Sequence, residues 1–168
     1  KTQDIVLREL PKEIKFSATA EEIKFARYKI VKQIGQGGMG KVYKVYDMEL
    51  HRTVALKVLT NLKDHQNNPK RFCREARLMG QLRHPNIVSV YDIGEDAGVL
   101  YYTMELIEGI ALNELIEKRK LTFHQSTEIV RKIADAIGYA HKQGIIHRDI
   151  KPSNIMMDRQ GEPKLMDF

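Results

Sequence analysis

The chain contains one cysteine, Cys73, in 168 residues. A lone thiol cannot close an internal disulfide, and it excludes a zinc site built from several cysteines. Cysteine this scarce fits a reducing, cytoplasmic setting. Long apolar runs are missing too. None approaches the roughly 20 residues that span a bilayer, so no membrane segment is expected in this chain. The opening KTQDIVLREL has no apolar signal core and starts with Lys1 rather than Met, which suggests a piece of a longer protein. There is no internal repeat and no low-complexity stretch. With 42% hydrophobic and 30% charged residues, the composition is that of a folded domain, not a disordered chain. The formal net charge of +6 would admit nucleic acid or an anionic surface as partner. The basic residues, however, are scattered among acidic ones in the manner of solvated helix faces, and no nucleic-acid partner is expected. A nucleic-acid-binding domain would bind in a salt-dependent way, indifferent to Asp149→Asn.

Residues 1–27 are mixed and charged, with a helix-like stretch near 20–27, and read as a leader. From Tyr28 the texture changes. Strands are expected at 28–34, 42–47, 51–59, 87–93 and 99–106, with a glycine loop at 35–40 and a turn at 94–98. Between the third and fourth strands a helix is expected over 69–82. Pro69 suits its first position, and Phe72, Ala76 and Met79 form one apolar stripe. Leu112, Leu115 and Ile116 mark a short helix. A longer one starts at Thr122, whose spacing to Gln125 predicts a capping box. Val130, Ile133, Ala134, Ile137 and Ala140 keep helical period, and Gly144 is placed to stop it.

Gly35, Gly37 and Gly40 spell G-x-G-x-x-G. A dinucleotide-binding loop would open a helix, whereas here KVYKVY follows as strand, so the loop is a glycine-rich hairpin. Such a hairpin lets backbone amides approach phosphate oxygens, although an ordinary tight turn explains the letters equally well. Lys57 is one charge inside the apolar strand VALK and requires an anion or access to solvent. Glu75, on the margin of the helix stripe, is a candidate partner; a surface pair with Arg71 is the plainer use of it. Downstream, Asp149 could accept or orient a hydroxyl proton. Asn154 and Asp167 are hard oxygen donors suited to magnesium, and Lys151 could balance phosphate charge. His147, beside Ile145 and Ile146, reads as a packed structural residue.

Taken in order, G-x-G-x-x-G-x-V (35–42), VALK (54–57), HRDIKPSN (147–154) and DF (167–168) resemble the protein kinase signature. The resemblance covers 28–168 and is closest to bacterial kinases of the eukaryotic-like type. It implies an α+β, two-lobed protein-kinase-like fold: a small antiparallel-sheet lobe with one helix at 28–106, and an incomplete, mainly helical lobe at 107–168. It implies a serine/threonine kinase that transfers the γ-phosphoryl group of ATP to protein Ser or Thr hydroxyls with magnesium. In that scheme Lys57, paired with Glu75, binds the α- and β-phosphates, Asp149 is the base assisted by Lys151, and Asn154 and Asp167 hold magnesium. The glycine loop, Gly38 included, covers the phosphates. Ile34, Val42, Ala55 and Met156 sandwich the adenine, Met104 is the gatekeeper, and the backbone of the hinge from Glu105 to Ile107 bonds the base. Met79, Val90, His147 and Phe168 match an apolar spine joining the lobes. Lys151-Pro152 resembles the serine/threonine branch, and Arg148 implies regulation by a phosphorylated activation loop.

The glycine that would follow Phe168 is missing, as are the activation loop and peptide platform. The expectation is therefore weak or no turnover for the segment alone, with exposed apolar helix faces that a partner chain could cover. The alternative function is a nucleotide-binding or scaffolding, pseudokinase-like module.

Overall fold

The computed structural model describes residues 25, 27–37, 40–59, 69–96, 99–118 and 120–168, with the side chains of Lys70, Arg71 and Glu75 outside that set. Five strands form one antiparallel sheet: β1 (Tyr28–Gly37), β2 (Gly40–Asp47), β3 (Arg52–Leu59), β4 (Val90–Asp96) and β5 (Val99–Met104), in the order β1-β2-β3-β5-β4. Helix α1 (Pro69–Gln81) packs on one face. Its expected stripe is the buried one, as Phe72, Ala76 and Met79 are at most 2% exposed.

Strand β3 is buried from Val54 to Leu59, because it is covered on both faces. Ala55 and Leu59 join the cluster beneath α1, with Val88, Val90, Leu100, Tyr102 and Met104. Val54, Leu56 and Val58 join Tyr43 and Val45 in a second cluster on the opposite face. That face is closed by aromatic rings. Phe25 and Tyr28 meet Tyr101 edge-on at 5.0 and 5.6 Å between centroids. Arg27 adds a clamp, donating from Nε and Nη2 to the two oxygens of buried Asp47 at 3.0 and 2.8 Å. Asp47 also accepts the amides of Glu49 and Leu50 at 3.1 Å each, shaping the turn into β3. The Arg27 hydrogen bond is the main reason its carboxyl is pulled down to about 2.

Two strand expectations need correction. The fourth strand starts at Val90, not at residue 87. Ile87 instead makes a lone parallel bridge to Leu165, where the Val88 amide donates to the Leu165 carbonyl at 2.9 Å. Its backbone is thus spent on tying the two lobes together. At the far end β4 runs on through the expected turn to Asp96, which pairs with Val99. Strand β5 ends at Met104, leaving 105–108 outside regular structure.

The second lobe comprises β6 (Gly109–Ala111), α2 (Leu112–Glu117), α3 (Phe123–Lys142), a 3-10 turn (Pro152–Asn154), β7 (Ile155–Asp158) and β8 (Pro163–Leu165), its strands ordered β6-β7-β8. The capping box forms as expected: the Gln125 amide donates to Thr122 Oγ1 at 3.2 Å, and the Thr122 amide to Gln125 Oε1 at 2.8 Å. At the other end the amides of Gly144 and Ile145 donate to the carbonyls of His141 and Ala140 at 2.9 and 3.0 Å. This Schellman closure needs the positive φ of 75° that Gly144 supplies.

The packed face of α3 differs from the expected one. Ile129, Ile133, Ala136 and Ala140 are buried, whereas Val130 is 67% exposed and Ala134 is also exposed. Apolar residues occupy two neighbouring faces of α3, and periodicity alone does not choose between them. Phe123 at its start is 90% exposed.

Candidate functional site

The site is built by segments far apart in sequence meeting between the lobes. Ala55 and Lys57 face the α1 side of β3, and Ala55 is in register with Met104 on β5. The Lys57 side chain is 10% exposed, and its Nζ donates to Asp167 Oδ1 at 2.8 Å. A buried ammonium demands such an anion. The carboxylate partner found here comes from the DF motif, 110 residues away. The side chain of Glu75, the partner expected from sequence, lies outside the described residues, as does Gly38.

Asp167 holds this position with φ at 61°, and Arg148 in the HRD segment has φ at 68°. Left-handed conformations of non-glycine residues cost about 1 kcal/mol or more, and one of them falls on the residue whose carboxylate meets Lys57. His147 fixes the two loops to each other. It is 4% exposed; its Nδ1 accepts the Asp149 amide at 3.2 Å, so the proton sits on Nε2, which donates to the Met166 carbonyl at 2.9 Å. Its ring lies 4.6 Å from that of Phe168. Both nitrogens are engaged, which suits a structural residue and not a base.

Asp149 is exposed and clustered with Lys151 and Asn154. Lys151 Nζ donates to Asp149 Oδ2 at 2.7 Å. Asn154, 7% exposed, donates from Nδ2 to the Asp149 carbonyl at 2.9 Å and to Oδ2 at 3.2 Å. The Lys151 hydrogen bond, more than that of Asn154, holds the Asp149 carboxyl below the usual carboxylate range. With Oδ2 taken twice, Oδ1 is the oxygen without a hydrogen bond among the described residues. The same holds for the amide oxygen of Asn154.

Of the expected base-binding residues, Ala55 and Met104 are buried in the α1-side cluster, with Val42, Leu106 and Ile107 packed against it. Ile34 is 43% exposed and Met156 half-buried, and neither belongs to that cluster. Met79 and Val90 lie within it, and Phe168 packs on it, on the cluster of the second lobe, and on one that joins Leu82 and Ile87 to Ala136, Ala140 and Ile145. The three glycines of the loop differ. At Gly40 a Cβ would sit 1.9 Å from the Val58 carbonyl oxygen, so packing alone demands glycine there. Gly35 and Gly37 have no such neighbour, which leaves their smallness available to a ligand.

Sequence inspection missed the ion pairs around residues 105–108. Lys164 Nζ donates to Glu105 Oε1 at 2.8 Å, and Glu108 accepts from Lys44 at 3.2 Å and pairs with Arg159 at 3.1 Å. Partners this distant in sequence carry no local signal.

The sequence matches the family described as protein kinase domain over residues 28–168. It is 44% identical over 146 residues to the serine/threonine-protein kinase PrkC of Bacillus subtilis, covering 84% of this chain and 22% of that protein. It is 37% identical over 155 residues to the serine/threonine-protein kinase PknD of Protochlamydia amoebophila, covering 84% and 16%. Among solved structures, the PknI kinase domain of Mycobacterium tuberculosis has a TM-score of 0.75 and 34% identity, over 90% of this chain and 61% of that one. The apo form of PpkA-294 has a TM-score of 0.79 and 26% identity, over 92% and 62%. The chain thus spans about a fifth of the length of the curated relatives it matches.

Proposed function

The chain belongs to the protein kinase family, and on that premise we propose that it carries the nucleotide site and catalytic loop of a magnesium-dependent serine/threonine kinase. The observation that carries this is the 2.8 Å contact of Lys57 with Asp167, which joins the sheet lobe (28–106) to the segment holding the catalytic loop (107–168). The pair sets a cation for phosphate beside a carboxylate for metal. Protein substrates with Ser or Thr acceptors and a cytoplasmic setting belong to the same proposal. Among the described residues no helix is long and apolar enough to cross a membrane.

The residues present fit magnesium. Among the described residues no group of three or more His, Cys, Asp and Glu could hold a metal. Magnesium, however, is commonly held by one or two protein oxygens together with substrate phosphates. Asp167 and the free amide oxygen of Asn154 are such donors. Bound magnesium would neutralise charge on the phosphate oxygens. Lys57 would hold the α- and β-phosphates and add its own charge. Asp149, a carboxylate at neutral pH, would orient the acceptor hydroxyl through Oδ1 and receive its proton as the hydroxyl oxygen bonds to the γ-phosphorus and the bond to ADP breaks. Lys151 would balance charge on the transferred group.

The test is intact-mass analysis of the chain after incubation with ATP, magnesium and a Ser/Thr peptide. At most weak transfer of phosphate to chain or peptide is expected, with Asp149→Asn slower still by about a thousandfold. Equal transfer by both chains would remove Asp149 from this role. ATP retained without transfer by either would favour the nucleotide-binding module instead.

A further inference from the structure

We propose that Lys164 is a positioning residue for nucleotide binding, acting through Glu105 to hold the hinge backbone in place. The proposal rests on the kinase reading above and adds a residue to it.

Strand β8 is three residues long, with Pro163 and Leu165 buried. Strand alternation therefore turns Lys164 to the opposite face, where it meets Glu105 just past the end of β5. Glu105 is held at several points. Its amide donates to the Ser89 carbonyl at 2.8 Å, Oε1 accepts from Lys164 Nζ at 2.8 Å, and Oε2 accepts the Ser89 amide at 3.4 Å. Main chain and side chain are thus both anchored, one lobe supplying Ser89 and the other Lys164.

What this anchoring presents is a short row of free backbone groups. Among the described residues, the carbonyl of Glu105 and the amides and carbonyls of Leu106 and Ile107 make no hydrogen bond. Leu106 and Ile107 are half-buried, their side chains packed on the α1-side cluster. Donors and acceptors held in this way are pre-organised for a flat heterocycle with a complementary edge.

The Lys164 pair outranks its neighbours in this role. The side chains of Lys164 and Glu105 are 17% and 27% exposed. Those of Lys44, Glu108 and Arg159 at the other end of the hinge are 28%, 46% and 74% exposed. Solvent screens the exposed pairs strongly, so they contribute little to geometry. Without Lys164, the half-buried Glu105 carboxylate loses its counter-charge and gains by turning to water, taking the hinge backbone with it.

The experiment measures the dissociation constants of the chain for magnesium-ATP and for adenosine, by titration calorimetry. Adenosine has no phosphates and reports on the base site alone. Lys164→Met is expected to weaken both ligands by the same factor, about tenfold. Lys164→Arg restores both. If Lys164→Met fails to fold by circular dichroism, Glu105→Gln keeps the side-chain size and carries the same test. Unchanged affinities, or a loss for magnesium-ATP with adenosine unaffected, would overturn the proposal. A wild-type chain that binds neither ligand would overturn the kinase reading itself, a result distinct from failure of Lys164 alone.

Discussion

On one face of the five-stranded sheet, Leu56 and Val58 of β3 enter a cluster closed by Phe25, Tyr28, Tyr43 and Tyr101. On the other face, one residue out of step, Ala55, Lys57 and Leu59 turn toward α1 and the cleft. The first face is closed by residues of its own lobe. Its buried carboxylate among the described residues, Asp47, is satisfied by Arg27 and two amides, all within 20 residues. On the second, Lys57 meets a carboxylate supplied by the other lobe, that of Asp167. A single strand thus separates stability from chemistry by the alternation of its side chains. Residues one position apart should then respond to substitution in opposite ways.

The largest effect is expected at Lys57. Replacement by Met should lower phosphoryl transfer by about a hundredfold or more and leave the melting temperature nearly unchanged, since Asp167 can turn to water. A large fall in melting temperature would show that the cleft face also carries the fold. Next is Leu56→Ala on the sealed face. Deleting this fully buried side chain should destabilise by about 3 kcal/mol in urea titrations. ATP affinity measured below the transition should not change.

The smallest effect is at Arg27. The Asp47 carboxyl sits at about 2 in the folded chain, below the roughly 3.9 of an unfolded one. Its pairing therefore stabilises at pH values above the unfolded pKa, and that contribution is lost as pH falls toward the folded value. Arg27→Met should lower the urea midpoint at neutral pH. The gap from wild type should narrow as pH drops below about 4. A gap constant with pH would mean that Arg27 acts by packing on Tyr28, whose ring centroid lies 5.2 Å from its guanidinium carbon.

Much of this arrangement was legible in the sequence where the signal is local. The apolar run of β3, the stripe of α1, the Thr122–Gln125 box and the stop at Gly144 each depend on residues within one or two turns. So did the motifs of the site, because a chemical role constrains residue type at a fixed spacing. What failed to show depended on which surfaces meet. Val130 and Ala134 look as apolar as Ile129 and Ala136, yet only the latter pair face the protein. Ile87 has the composition of a strand residue, and it was the approach of Leu165 that reassigned its backbone. Lys164 and Glu105 are 59 residues apart and unremarkable in their own segments. No periodicity links them.

The 110-residue separation of Lys57 from Asp167 also has a kinetic meaning. The β1–β2 and β2–β3 hairpins close over short loops and carry the densest contacts of the sheet. Closing a loop of this length costs more chain entropy than any hairpin does, and the cost is met only once both lobes have surfaces to dock. Contact order therefore places the lysine–aspartate pair among the late contacts of folding. Species that hold the sheet alone lack the Asp167 carboxylate beside Lys57, so the chemistry that needs both groups waits until the lobes have docked.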